Sequence, residues 1–186
     1  MIVEQLEIPG LVLLRPRIFR DARGHFLETW LDERYADAGL PARFVQDNVS
    51  VSRQGVLRGL HYQHPHAQGK LVTALAGSIF DVAVDVRRGS PTFGRWVGCE
   101  LSAETGHQLW IPPGFAHGFA VTAGDAVVAY KCTEHYAPAD DRGLRWDDPA
   151  IGVRWPVADP ILSAKDAAAP VLNEIAPEHL PPLERA

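Results

Sequence analysis

The apolar positions of this chain fall in short runs separated by Pro and Gly. Most runs alternate with polar residues at period two, the mark of strands. The clearest is Ile79-Phe-Asp-Val-Ala-Val-Asp-Val-Arg87. Phe80, Val82, Val84 and Val86 take one face; Ile79, Asp81, Ala83, Asp85 and Arg87 take the other. Further strands are predicted over 11–19, 25–30, 44–52, 56–63, 71–76, 95–101, 107–111, 120–122 and 126–132. Turns are predicted at Asp21–Gly24, Pro91–Gly94 and Pro112–Phe119. A helix is predicted over 31–38, stopped by Gly39 and Pro41. One or two helical turns are predicted after Ser163, which suits an N-cap. This spacing predicts an all-β fold, a sandwich or barrel with a few short helices. No repeat or linker divides the chain, so 1–186 reads as one domain. Residues 177–186, Pro-rich and charged, are expected to form a poorly ordered tail.

Charge narrows the partners. A formal net charge of −5 argues against nucleic acid or an anionic membrane surface as a general partner. An anionic small substrate then requires its cations to be clustered locally. Cys99 and Cys132 form no CxxC and no disulfide framework, which fits a reducing cytoplasm. The opening Met-Ile-Val-Glu-Gln lacks the regions of a signal peptide, and no apolar run reaches membrane-span length.

One apolar stretch carries such cations. Gly55 to Lys70 is apolar enough to be a strand, yet carries Arg58, His61 and Lys70. Strict alternation would send Arg58 and His61 to opposite faces. Gly59 lies between them, and Gly within a strand often marks a bulge that re-aims a side chain. The stretch therefore reads as one wall of a catalytic cavity. His61 and Pro112-x-Gly-x-x-His117 have the shape of the paired motifs of cupins. His64 and His66 invite a metal reading, but Pro65 separates them, no Glu follows within a few residues, and exposed loop residues fit them better. No metal and no cofactor are expected.

The order of motifs carries more than any one of them. Phe19-x-Asp-x-Arg-Gly-x-Phe26, Gln46-Asp-Asn-x-Ser50, Arg58-Gly-Leu-His-Tyr-Gln63, Gln68-Gly-Lys70 and Phe80 to Arg87 come first. Pro91-Thr-Phe-Gly94, Ile111 to Phe119, Tyr130-Lys-Cys-Thr, Trp146-Asp-Asp-Pro and Leu162-Ser-x-Lys-Asp166 follow. Together they resemble the dTDP-4-dehydrorhamnose 3,5-epimerases, dTDP-sugar epimerases of the cupin superfamily. The resemblance implies a cupin-type jelly-roll barrel and a homodimer. It also implies inversion of carbons 3 and 5 of dTDP-4-dehydro-6-deoxy-glucose. Both carbons are alpha to the ketone at carbon 4, so each inversion passes through an enolate. The site then needs a base, an acid on the opposite face, and a cation at the oxyanion.

The residues can be set against those needs. His61 suits the base, because imidazole titrates near neutral pH. By resemblance Asp166 orients it. Lys70 suits the oxyanion cation and Tyr130 the acid. By resemblance Arg23, Arg58 and Lys165 meet the diphosphate, with Gln46 and Asn48 as neutral donors. Glu28 reads the thymine or ribose, and His117 sits near the sugar or orients a neighbour. Asp141 stands where the family's pattern leads us to expect a Glu, so its substrate contact is open. Resemblance further suggests that the N-terminal segment bearing Arg23 and Glu28 reaches the partner's cavity. Alternative readings are a 3-epimerase of secondary metabolism, a metal-dependent cupin enzyme and a non-catalytic sugar-binding cupin.

Overall fold

The computed structural model describes residues 1–41 and 43–183. Two long strands form its spine: β7 (Lys70–Asp85) and β10 (Phe115–Cys132). They pair antiparallel from Lys70 opposite Cys132 to Asp85 opposite Phe115. The remaining strands are β1 (Ile2–Gln5), β2 (Val12–Arg15), β3 (Ile18–Asp21), β4 (Gly24–Leu27), β5 (Gln46–Ser52), β6 (Leu57–Gln63), β8 (Trp96–Ser102), β9 (Gln108–Ile111) and β11 (Asp141–Gly143). The described residues also form two short α-helices, α1 (Asp32–Asp37) and α2 (Ala164–Ala167), and two 3-10 turns, Leu172–Glu174 and Pro177–His179.

Each half of the spine serves a different sheet. The first half of β7 pairs with β9, and the second half of β10 pairs with β5; β2 and β1 extend outward from β9. The second half of β7 pairs with β8, and the first half of β10 with β6, which β11 flanks. Between the halves the register shifts at Val121/Ala123, Ala123/Val127 and Val127/Val128. Such irregularities bend strands. Gly77 lies at this bend with φ +68°, and a Cβ there would stand 2.5 Å from the Asp125 carbonyl oxygen. Only glycine fits such an approach. The result is the rolled double sheet of a jelly roll.

The alternation along β7 decides where the core lies. Ile79 and Ala83 enter the inner cluster with Leu101, Leu109, Phe119 and Val128. Val82, Val84 and Val86 face the other way, into a second cluster with Leu60, Tyr62, Leu144 and Ile151. The expected tail is corrected here. Leu172 and Ile175 pack against this second cluster, and Leu180 is buried within it. Residues 177–179 form a 3-10 turn, and the Arg88 N–H donates to the Pro181 carbonyl at 2.7 Å. The outer face of β7 is apolar, and this segment carries the leucines that shield it from water. Residues 184–186 of the expected tail lie outside the described residues.

Other departures have local causes. Pro16 splits the strand predicted over 11–19 into β2 and β3. Among the described residues β3 pairs only with β4, as a separate two-stranded ribbon. Its Phe19 and Phe26 stay exposed, 49% and 68%, with ring centroids 6.4 Å apart. The turn predicted over 112–119 ends at Gly114, so His117 lies on β10. β11 is a strand by pairing alone; its residues, Asp-Arg-Gly, carry no strand pattern.

Candidate active site

β6 and β10 place the first functional side chains. His61 lies opposite His117, while Arg58 lies opposite Phe119. Three steps along β6 thus match two along β10, which is a bulge with its extra residue on β6. Gly59 sits in it with φ +106°, where a Cβ would come within 2.6 Å of the His117 carbonyl oxygen. The broken alternation lets Arg58 and His61 line one cavity of about 450 Å³. Lys70, His117, Tyr130, Lys165 and Asp166 line the same cavity.

The residues that follow Ile161 reach the cavity through backbone pairing. The Leu57 N–H donates to the Ile161 carbonyl at 3.1 Å, and the Ile161 N–H to the Gly55 carbonyl at 2.9 Å. This docks the start of α2 beside β6. Ser163 caps the helix, its Oγ accepting the Asp166 N–H at 3.1 Å. The buried Asp166 carboxylate then faces β6. Its Oδ1 lies 2.6 Å from His61 Nε2, and its Oδ2 accepts the Gly59 N–H at 3.4 Å. Burial pushes the Asp166 carboxyl up, but the His61 hydrogen bond and charge, the Gly59 N–H and Ser163 together hold it below the usual carboxylate range. A carboxylate on Nε2 leaves Nδ1 as the free nitrogen of His61.

Across the cavity stand a cation and a phenol. Lys70 is only 9% exposed, and among the described residues it has no hydrogen-bond or ion-pair partner. Burial pushes its ammonium down; Cys132, Asp141 and Asp81 oppose that. Burial pushes the Tyr130 phenol up, Cys132 adds to this, and Arg58 opposes it. Tyr130 is therefore held in its protonated form at neutral pH. A buried, uncompensated cation, a protonated phenol and a carboxylate-oriented imidazole suit proton abstraction beside a developing oxyanion.

A second cavity of about 350 Å³ adjoins the first. It shares His61, Lys70, Tyr130 and Lys165 and adds Gln46, Asn48, Tyr136 and Asp141. Asp141 is occupied: its Oδ2 accepts both Lys165 Nζ and the Tyr136 hydroxyl. Gln46 Nε2 donates to Asn48 Oδ1 at 3.0 Å and Asn48 Nδ2 to Cys132 Sγ at 3.6 Å, so each amide keeps only part of its donor capacity for a ligand. Arg58 Nε donates to Ser52 Oγ at 2.9 Å.

Two of the predicted residues are not brought here. Arg23 sits at the tip of the β3–β4 ribbon, its side chain 90% exposed and paired with Asp21. Glu28 pairs with Arg34 and lines a different depression with Phe19 and Phe26. One residue was missed by sequence reasoning. Asp81, fully buried, holds His117 with Oδ1 at 2.8 Å from Nε2. Its signal was a charge on the inward face of an apolar strand. His66 pairs with Asp140 on the surface, and among the described residues no three His, Cys, Asp or Glu side chains gather closely enough to hold an ion. Among the described residues no helix is long and apolar enough to cross a membrane.

Comparison with known proteins agrees with this geometry. Residues 5–174 match the model of the family described as dTDP-4-dehydrorhamnose 3,5-epimerase. The chain is 54% identical over 164 residues to the Pseudomonas aeruginosa protein of that name, covering 87% of this chain and 91% of the relative. It is 53% identical over 162 residues to the Neisseria gonorrhoeae protein of that name, covering 87% of this chain but only 49% of that relative's length. A solved structure from Legionella pneumophila, a dTDP-6-deoxy-D-glucose-3,5-epimerase in complex with dTDP-4-keto-L-rhamnose, is 50% identical. It superposes with TM-score 0.95 over 98% of both chains. On a cupin-type jelly roll with this site and these relatives, the chain belongs to the dTDP-4-dehydrorhamnose 3,5-epimerase family of isomerases.

Proposed function

We propose that this chain inverts carbons 3 and 5 of dTDP-4-dehydro-6-deoxy-D-glucose, giving dTDP-4-dehydro-L-rhamnose in dTDP-rhamnose biosynthesis. The observation that carries this reading is the His61–Asp166 pair facing Lys70 and Tyr130 across one cavity. His61 Nδ1 takes the proton alpha to the ketone. Asp166 stabilises the imidazolium that forms. The electron pair moves onto the ketone oxygen, where the Lys70 ammonium meets it. Tyr130 delivers a proton to the opposite face, which inverts the centre; solvent then takes the proton from the His61 imidazolium and restores the phenol. The sequence repeats at the second carbon.

Binding follows the cations. Arg58 and Lys165 meet the diphosphate, with Gln46 and Asn48 supplying neutral donors and His117 held toward the sugar by Asp81. Arg23 and Glu28 reach the partner's cavity in a homodimer, carried by the exposed β3–β4 ribbon. The whole chain acts as one catalytic domain in the cytoplasm, without a metal or redox cofactor.

Proton NMR of the keto sugar nucleotide in deuterated water tests the reading, because it reports each carbon separately. Wild-type protein is expected to exchange and invert both carbons, and His61→Ala to abolish both while still binding dTDP. Exchange confined to carbon 3 would replace this reading with a 3-epimerase. Activity lost on chelation and restored by one divalent ion would replace it with a metal enzyme.

A further inference from the structure

Lys70 is buried and unpaired, an arrangement that needs an explanation from its neighbours. β10 places Cys132 directly opposite it, and β9 places Ile111 on its other side. Opposed residues of an antiparallel pair share a face, with Cβ atoms about 5 Å apart. A carboxylate or hydroxyl at position 132 would therefore lie within reach of the ammonium. The charged and titratable groups around Lys70 are Arg58, His61 and Tyr62 on β6, Asp81 on β7, His117, Tyr130 and Cys132 on β10, Tyr136 between β10 and β11, Asp141 on β11, and Lys165 and Asp166 on α2. Asp81 is committed to His117 and Asp141 to Lys165 and Tyr136.

Cys132 is itself fixed in place. The Tyr136 N–H donates to Gln46 Oε1 at 2.8 Å, Gln46 Nε2 to Asn48 Oδ1 at 3.0 Å, and Asn48 Nδ2 to Cys132 Sγ at 3.6 Å. This relay runs in one direction and ends on sulfur, a weak acceptor. The thiol fills the position opposite Lys70 on β10, and among the described residues no hydrogen bond joins it to the ammonium.

We propose that Cys132 is a positioning residue: held by the Gln46–Asn48 relay, it occupies the place from which a stronger acceptor would capture Lys70, and so leaves the ammonium directed at the cavity. Burial pushes the Cys132 thiol up, while Lys70 and the Asn48 hydrogen bond pull it down. The proposal deepens the reading in which Lys70 meets the oxyanion.

The test substitutes Cys132 and follows Lys70 in the full-length protein. Cys132→Asp gives Lys70 a partner and is expected to lower kcat on the order of 100-fold, the scale of a lost oxyanion donor. Dissociation of dTDP should stay near the wild-type value. Cys132→Ser is expected to lower kcat less, and Cys132→Ala to leave it near wild type. Nitrogen-15 NMR of labelled lysine side chains reads the second arm. The Lys70 resonance should titrate at higher pH in both Cys132→Ser and Cys132→Asp. If Cys132→Asp does not fold, Cys132→Ser carries this arm. An unchanged Lys70 titration, or a Cys132→Ala enzyme as slow as Cys132→Asp, overturns the proposal. Lys70→Ala separates the two ideas: full exchange in that variant would remove the oxyanion role, while the lysine titration would still decide what Cys132 does.

Discussion

Asp166→Asn probes the contact on which the proposed role of His61 as base rests. The wild-type carboxylate is buried, 4% exposed, and bonds His61 Nε2 at 2.6 Å. Its charge matters most when His61 has taken the substrate proton, because imidazolium and carboxylate then face each other. A hydrogen bond to a charged group contributes about 1.5–3 kcal/mol. At 1.36 kcal/mol per decade, its loss in the transition state slows proton removal roughly 10- to 150-fold. The amide can also present its NH₂ to Nε2, which drives the ring proton to Nδ1 and removes the lone pair that the reaction uses. The loss should therefore fall in kcat, equally at carbons 3 and 5, with dTDP binding retained. Deuterium exchange by proton NMR measures both carbons in one sample. Wild-type exchange at either carbon would refute the reasoning, since one base is asked to serve both. The same substitution has a stability signature. The Asp166 carboxyl is held below its ordinary 3.8 in the folded protein, so its contribution is present above pH 3.8 and lost as pH falls through the depressed value. Denaturation of wild type and Asp166→Asn should therefore converge below pH 3.8, and a constant gap down to pH 2 would contradict the linkage.

Tyr130→Phe should still wash deuterium into the substrate from the His61 face but fail to invert; inversion of carbon 5 at the wild-type rate would shift the acid to another residue, with Tyr136 the candidate. Gly59→Ala should destabilise the protein by about 1–3 kcal/mol, given its φ of +106° and the 2.6 Å approach to His117, and a wild-type urea midpoint would show that the bulge relaxes at no cost. Arg23→Ala and His61→Ala, each inactive, should regain about a quarter of wild-type sites after subunit exchange, because half of the dimers are mixed and one site of each mixed dimer collects neither defect. A mixture that stays inactive, with exchange confirmed by native mass spectrometry, would place Arg23 in its own chain's site.

Local devices were legible in the residues themselves. The bulge at Gly59 followed from a glycine between two polar residues on an apolar strand, and the pairing of β6 with β10 contains it. The cap at Ser163 followed from a short polar side chain ahead of a helical turn, and its Oγ accepts the Asp166 N–H. Both depend on backbone conformation over a few residues, which residue type largely determines. The strand series and its alternation were legible for the same reason. Resemblance supplied Asp166 as the partner of His61, since nothing in the spacing of two residues 105 positions apart points to their contact.

What only the tertiary structure decided concerns which polar groups end up facing inward. Period-two alternation marks Asp81 as opposite in face to Val82 but cannot say that both faces of β7 are covered. Alternation alone thus gave Asp81 no role, although it is fully buried against His117. The same limit hid the role of Leu180, because its value lies in the outer face it covers, far away along the chain. Lys70 shows the point most sharply. Its charge and its strand are written in the sequence, but its lack of a partner depends on six elements meeting around one cavity, with Cys132 and Ile111 beside it. Residue type sets what each side chain can do and alternation sets its direction. Desolvation and pairing are properties of the assembled environment, and these decide whether a lysine is a surface charge or a cation aimed at a substrate.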